Sequence, residues 1–508
     1  MIAGMEMSPD ACYRALTARD PRFDGRLFVG VKTTGIYCRP ICPARTPRRE
    51  NVRFFPAAAA AQAAGFRPCL RCRPESSPDL GAWRGTSNTV ARALAMIEAG
   101  ALDDGDLDRL ADRLGVGARQ LRRLFRQHLG ASPIAVAQTR RVLLAKQLIH
   151  ETQLPMAQVA LASGFSSIRR FNETFAALYR RPPAALRRSR APGIEAQGID
   201  AQGDWIGLSL PYLPPYDWDA IITFLGRRAI AGVEAIAQGA YVRAITLEGA
   251  AGLLRVRPAL GDRLEVAICF PRLQALPAIL ARVRRIFDLS ADPCAIGALL
   301  SQDPDLAPRV AARPGLRVPG AWDGFELAVR AILGQQITVA AATSLASRLT
   351  AQFGAALGPE FFGLAPGITH AFPTPERLAG ADLSALPMPR ARSTAVFALA
   401  QAAAADPTLF DAKIDLQSTI RRLTALPGVG EWTAQYIAMR ALRDPDAFPA
   451  GDVALQRALA DRDGARPTAA ALELRSQAWR PWRAYGALHL WTPPTLADFG
   501  ADDDRRAA

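Results

Sequence analysis

Val31-Lys-Thr-Thr-Gly-Ile-Tyr-Cys38-Arg-Pro-Ile-Cys42-Pro-Ala-Arg45, followed by Gly65-Phe-Arg67-Pro-Cys69-Leu-Arg-Cys72, decides the fold of the first part of this 508-residue chain. The spacing is C-x3-C, a gap of 26 residues, then C-x2-C. Two tight turns can thus offer two thiolates each, and four thiolates meet the tetrahedral preference of zinc. Spacing alone leaves two readings open: a purely structural zinc holding a loop-rich module, or a site in which one metal-bound sulfur also reacts.

Working outward, the length allows three or four domains, each with its own core. Half the residues are apolar and Gly and Pro follow no period, which argues against collagen and wholesale disorder. No apolar run approaches a membrane span, and no basic stretch precedes an apolar block at the start. Seven cysteines, four of them clustered, suit a reducing compartment; a soluble cytoplasmic protein is expected. The net charge of +15 is unevenly placed. Residues 1–190 carry 31 Lys+Arg against 15 Asp+Glu, whereas residues 191–508 carry 31 against 32. A phosphate-binding half joined to a near-neutral half follows, with double-stranded DNA as the expected partner.

Polar, Gly/Pro-bearing stretches at 74–87 and 191–204 read as linkers, and a softer break falls at 302–323. They suggest modules at 1–74, 86–190, 204–300 and 305–500. The second module reads as helical throughout. Leu107, Leu110, Ala111 and Leu114 form one apolar stripe, Gly115 breaks it, and Leu121, Leu124, Phe125 and Leu129 resume it. The design recurs around Val159, Ala160 and Gly164, before a helix bearing Ile168, Phe171, Phe175 and Leu178. Helix, glycine-bearing turn and arginine-bearing helix, twice over, is the pattern of a recognition helix in a major groove. The stretch SGFSSIRRFNETFAALYRRPPAALRR resembles AraC-type DNA-binding domains, which carry two helix-turn-helix units.

With that domain behind it, the cysteine module resembles the N-terminal half of Ada-type adaptive-response proteins over residues 8 to 190. The resemblance implies that Cys38 accepts a methyl group from a DNA methylphosphotriester, and that Cys42, Cys69 and Cys72 complete one zinc site. It also places Thr34, Arg39, Arg45 and Arg67 against the DNA backbone. The physics agrees: zinc keeps a sulfur ionised at neutral pH yet reactive. A tetrathiolate carries a formal charge of −2, and alkylating one sulfur reduces it to −1. At ~6 Å from a phosphate, that change is worth roughly 1–3 kcal/mol. Methylation is therefore expected to tighten promoter binding by a monomeric activator that engages RNA polymerase. The second methyltransferase motif common in such proteins, Pro-Cys-His-Arg, does not occur. Direct repair of alkylated guanine oxygen is not expected.

Further on, Leu426-Pro427-Gly428-Val429-Gly430 sits between two amphipathic patterns, and Phe448-Pro-Ala-Gly451-Asp452-Val453 follows about twenty residues later. A glycine-bearing hairpin at a helix N-terminus lets backbone N–H groups approach a phosphate closely, Gly428 and Gly430 foremost. The combination resembles the helix-hairpin-helix signature of DNA glycosylases. Trp432 stands where bifunctional members carry a lysine, and the chain has only Lys32, Lys146 and Lys413, so a monofunctional enzyme is expected. From Leu213-Pro-Pro-Tyr-Asp-Trp218 to Trp482-Arg-Ala-Tyr-Gly-Ala-Leu-His-Leu-Trp491 the chain resembles AlkA-type 3-methyladenine DNA glycosylases. That resemblance implies base flipping, an anion at Asp452 facing an oxocarbenium-like sugar, and a base pocket of Trp432, Tyr436 and Trp491. Gln336 stands where the best-known AlkA-type enzyme has a gap-filling leucine. Asp452 could instead be a plain helix cap, and Trp491 ordinary core.

The expected architecture is multidomain and mainly α: a zinc-bound α/β module, an all-α double helix-turn-helix domain, a small α/β subdomain with strands at 241–247, 252–258 and 263–269, and an all-α glycosylase domain. The expected function combines a methylation-switched transcription activator with an alkyl-base glycosylase. Alternatives are a glycosylase with a passive DNA tether and a regulator with an inactive glycosylase half.

Overall fold

The computed structural model of the protein describes residues 8–78, 88–103, 105–187, 205–411, 415–460 and 464–493. The expected linker residues 79–87 and 191–204 lie outside them. Two compact units divide the chain. One comprises Met1–Leu213, Ala259–Ala281 and Leu289–Ala291; the other comprises Pro214–Pro258, Arg282–Asp288 and Asp292–Ala508. Helices dominate both, and no described helix is long and apolar enough to cross a membrane.

The first unit opens with helix α1 (Pro9–Thr17), whose Ser8 cap accepts from the Ala11 amide. Strands β1 (Phe28–Val31), β2 (Ile36–Cys38), β3 (Val52–Phe55) and β4 (Arg67–Pro68) make a small sheet in the order β3-β1-β2-β4. Successive side chains point to opposite faces of a strand. Val29 and Val52 accordingly join Cys12 and Leu16 of α1 on one side. On the other, Phe28, Tyr37 and Phe55 pack with helix α2 (Ala58–Ala63), α3 (Asn88–Glu98), α4 (Leu107–Leu114) and α5 (Ala118–Leu129). One apolar cluster therefore runs from the cysteine module into the first helix-turn-helix. Leu107, Leu110, Ala111 and Leu114 are all buried in it, as their spacing predicts, and Gly115 ends α4 at a φ of 70°.

A 19-residue helix, α6 (Pro133–Glu151), leads to the second pair, α7 (Met156–Ala162) and α8 (Ile168–Tyr179). Phe171, Phe175 and Tyr179 bury one face of α8, while Ile168 at its start is 51% exposed. Strand β5 (Ile206–Pro211) pairs antiparallel with a later strand of the same unit, as described below. Its inward Ile206, Leu208 and Leu210 alternate with Gly207 and Ser209.

In the second unit α9 (Trp218–Arg227) precedes an antiparallel meander of β6 (Glu234–Ala237), β7 (Ala240–Leu247) and β8 (Ala250–Ala259). Strand β9 (Arg263–Cys269), the partner of β5, and helix α10 (Leu276–Ile286) follow in the chain. These strands match the expected ones to within two residues. Then come α11 (Pro293–Leu300), α12 (Ala307–Ala312), α13 (Gly324–Leu333), α14 (Val339–Phe353), α15 (Pro375–Ala379), α16 (Arg390–Ala405), α17 (Leu416–Thr424), α18 (Glu431–Arg440), α19 (Val453–Ala458), α20 (Ala469–Ser476) and α21 (Arg483–Trp491). The central α13, buried from Phe325 to Leu333 except at Arg330, touches both α16 and α18. Inside the Pro/Gly-rich stretch 302–323, residues 316–320 are buried. Three of their carbonyls are held by side chains at and just beyond the end of α18: Arg440 donates to Pro319 and Gly320 (2.9 and 3.2 Å), and Arg443 to Val318 (2.7 Å).

Candidate functional site

Strands β2 and β4 run parallel, with Tyr37 opposite Pro68, so Cys38 and Cys69 leave the sheet from adjacent ends. Cys42 and Cys72 follow within the next turns. The four sulfurs lie within 4.8 Å of one another. A tetrahedral zinc with bonds of about 2.3 Å needs sulfurs about 3.8 Å apart, so the donor set fits the ion. Cys42, Cys69 and Cys72 are buried residues; Cys38 is half-buried and the most open of the four. The Arg71 amide donates to Cys69 Sγ (3.3 Å) and the Arg39 amide to Cys72 Sγ (3.4 Å). Crowded thiols cannot all ionise without a cation. Hydrogen bonding to Cys42, Cys69 and Cys72 pushes the Cys38 thiol far up, while the Cys38 contact pulls Cys69 far down. A divalent ion among the four sulfurs would allow all of them to be thiolates at once.

The residues expected to meet the DNA backbone divide into two kinds. Thr34 and Arg45 are exposed and Arg67 is half-exposed. Arg39 is engaged inward instead. Its guanidinium pairs with the buried Asp24 (2.8 Å from Nε) and donates to the Cys72 carbonyl (3.2 Å) and Ser76 Oγ (2.8 Å). Only 12% of its side chain is exposed. Asp24 carried no sequence signal, because it lies fourteen residues before Cys38 and outside the cysteine spacing. On the helix-turn-helix pairs, Arg119, Arg122, Arg123 and Arg126 of α5 and Arg169 and Arg170 of α8 face solvent. This is the arrangement phosphate and base-edge contacts require.

The second centre is built from three elements. Helices α17 and α18 flank the hairpin Leu426–Gly430. Gly428 has a φ of 76°, and a Cβ there would meet Ala395 Cβ at 2.4 Å, so only glycine fits the turn. Gln335 Nε2 braces it by donating to the Gly428 carbonyl (2.9 Å) and Thr433 Oγ1 (3.1 Å). Next to it Gln336 is exposed and left-handed at a φ of 57°, an unfavourable backbone state that fixes its side chain at the surface between α13 and α14.

Asp452 caps α19: its Oδ1 accepts from the Leu455 amide (3.0 Å). The same carboxylate is also pinned from both sides. Trp432 Nε1 donates to Oδ2 (2.8 Å) and Trp491 Nε1 to Oδ1 (3.1 Å). Trp432 stacks on Tyr436 (5.2 Å, 10°), and Tyr436 meets Trp491 edge-on (6.4 Å, 61°). The carboxylate and the three expected pocket aromatics therefore come together. Arg440, one helical turn beyond Tyr436, donates to its hydroxyl (2.6 Å) and lies 5.3 Å from its ring centroid. Burial alone would raise the Tyr436 phenol, but Arg440 and Arg228 outweigh it and the net direction is down. Sequence reading missed Arg440; its i+4 spacing from Tyr436 was the available signal.

A thiolate metal centre, two helix-turn-helix units and a helix-hairpin-helix fold with a buttressed aspartate define a multidomain DNA-binding repair protein. Family models match accordingly: the metal binding domain of Ada at residues 11–75, a helix-turn-helix domain at 110–189, the AlkA N-terminal domain at 207–323, and the HhH-GPD superfamily of base excision DNA repair proteins at 329–484. The chain is 43% identical to a probable bifunctional transcriptional activator/DNA repair enzyme AlkA of Mycobacterium tuberculosis, covering 95% of this chain and 96% of that one. It is 34% identical to DNA-3-methyladenine glycosylase 2 of Escherichia coli, over 56% of this chain and 96% of the relative. Among solved structures, a 3-methyladenine DNA-glycosylase from Archaeoglobus fulgidus shares the fold (TM-score 0.50, 20% identity, 57% of this chain and 97% of that one). The chain belongs to the family of bifunctional transcriptional activator/DNA repair enzymes that join an Ada-type zinc module to an AlkA-type glycosylase. Its four-cysteine site is a zinc tetrathiolate, and double-stranded DNA is its partner.

Proposed function

We propose that Cys38 is the methyl acceptor and Asp452 the glycosylase carboxylate. What carries the reading is that four sulfurs converge within 4.8 Å of one another beside the exposed Thr34 and Arg45, and that the Asp452 carboxylate is held between two indole N–H groups. When bound, zinc holds the sulfurs as thiolates at neutral pH. Cys38 Sγ attacks the methyl carbon of a phosphotriester; the S–C bond forms as the C–O bond breaks, and the electron pair leaves on the phosphate oxygen, restoring a diester anion. The module loses one negative charge. Thr34, Arg45 and Arg67 hold the backbone, while Arg39, held by Asp24, orients the Cys72 turn through its carbonyl. With repulsion reduced, α5 and α8 read the promoter more tightly, and the bound protein recruits RNA polymerase. The exposed Ile168 at the start of α8 suits a thymine methyl.

At the second centre the hairpin N–H groups at Gly428 and Gly430 hold a phosphate, Gln336 enters the gap left by the flipped nucleotide, and Trp432, Tyr436 and Trp491 receive the electron-poor alkylated base. Asp452 stabilises the positive charge that develops on the sugar as the N-glycosidic bond breaks and its electrons leave with the base. Water then completes hydrolysis. The functional division retains modules 1–74, 86–190, 204–300 and 305–500, acting as a cytoplasmic monomer.

Incubating the full chain with methylated duplex, and reading free base and protein mass together, tests both roles. Cys38→Ser should lose the single methyl adduct while still releasing base. An adduct with no base release indicates a regulator with an inactive glycosylase half. Base release with no adduct on the wild-type chain leaves only a tethered glycosylase.

A further inference from the structure

Strand β5 begins the described chain after residue 204, and on one side it is hydrogen-bonded to β9. It is an edge strand, so its other side presents backbone groups that need covering. Within the same compact unit, two side chains of α6 take one peptide of that edge. Glu151 Oε2 accepts from the Ser209 amide (2.9 Å), and Gln147 Nε2 donates to the Ser209 carbonyl (2.8 Å). Gln147 also donates to Glu151 Oε2 (3.0 Å), so the i, i+4 pair acts as one clamp.

The clamp does not end there. The other oxygen of Glu151 accepts from Arg73 (2.9 Å), which also pairs with Glu75 (3.1 Å). Glu75 is buried and bonded to the fully buried Lys146 (2.7 Å), also on α6. Lys146 in turn donates to the Cys69 carbonyl (2.8 Å) at the sulfur cluster. Buried ions are tolerated only when fully paired, so this chain of contacts has to be satisfied as a set. A continuous polar network therefore runs from the cysteine module, through α6, to the first strand of the C-terminal region.

We propose that α6 is an intramolecular docking face for strand β5, with Glu151 as the carboxylate shared between Arg73 of the cysteine module and the Ser209 amide. The DNA-reading helices and the strand that opens the glycosylase region are then fastened together rather than strung on a free tether. The clamp lies within the first compact unit and uses neither Cys38 nor Asp452.

Residue-resolved hydrogen–deuterium exchange on the zinc-loaded full chain tests it. The Ser209 amide should be protected in the wild type. Glu151→Ala should speed its exchange about ten- to hundredfold, the range for losing a charge-assisted hydrogen bond. Gln147→Ala, which leaves Arg73 and the cysteine module untouched, should speed it by about three- to tenfold. Zinc content of one per chain in both variants shows that the module has not collapsed; should Glu151→Ala fail to fold, Gln147→Ala decides alone. A Ser209 amide that exchanges freely in the wild type, or stays equally protected in the variant that decides, overturns the proposal.

Discussion

The sulfur cluster and the Asp452 carboxylate, proposed above as the two reacting centres, are held by different means. The four cysteines lie within 35 residues of one another; paired strand ends and the amides of Arg39 and Arg71 meet them directly, while the Lys146 and Arg39 side chains hold the Cys69 and Cys72 carbonyls. Asp452 draws its support from side chains 20 residues before it and 39 after it. The first draws its ligands from one short stretch of chain, which suits the proposed single use of Cys38. The second is a tertiary device, suited to a carboxylate that must keep its position through repeated turnovers. Changes at Trp432 or Trp491 should therefore disturb the Asp452 carboxylate directly, whereas changes at Lys146 or Arg39 should reach the sulfurs only through the turns that carry them.

The largest expected effect separates charge from position at Asp452. Asn keeps an acceptor for the Leu455 amide and one indole but removes the anion, so Asp452→Asn should slow alkyl-base release by about 10²–10³-fold with little loss of stability. An equal loss of melting temperature would mean that the carboxylate is structural. Methyl transfer to Cys38 should be unaffected.

Next comes acid sensitivity of the second unit. Burial, then the neighbouring Arg309 and Arg313, lowers His489 to about 4 from 6.5. A depressed folded value means that the unfolded chain binds the proton first. Stability is then complete above about pH 6.5 and declines as pH falls toward 4, by up to about 3 kcal/mol. Urea titrations across that range should show the slope, and His489→Gln should flatten it.

Gly428→Ala should destabilise the hairpin by about 2 kcal/mol through the positive φ and the Ala395 contact, and weaken duplex binding with it. Unchanged melting and unchanged affinity would remove the hairpin from the comparison. The smallest effect sharpens it most. Trp491→Phe keeps a ring in the pocket but deletes one N–H to Asp452, and should lower kcat about fivefold with KM nearly unchanged. A rise in KM alone would assign Trp491 to base stacking instead of carboxylate positioning.

Much of this molecule could be read from its residues. The four-cysteine spacing, the two apolar stripes interrupted by glycine, and the Leu-Pro-Gly-Val-Gly hairpin with its trailing aspartate are short-range patterns, and chain connectivity fixes what they build. Trp432 and Tyr436, four positions apart on one helix, were bound to lie together, whereas Trp491 joins them only through packing. Arg39 shows the limit. The family resemblance implied a phosphate contact for it, and here its guanidinium pairs with Asp24, a partner no motif announces.

The sequence by itself determined the kinds of modules and the chemical identity of both centres, since spacing and side-chain chemistry act over one or two turns of chain. Only the tertiary structure decided that Asp452 is gripped by two indoles, that Arg440 underlies Tyr436, and that Glu151 meets Ser209 across 58 positions. Those choices depend on which buried polar groups find partners when the chain closes on itself, a constraint set by the whole packed interior and not by any one segment.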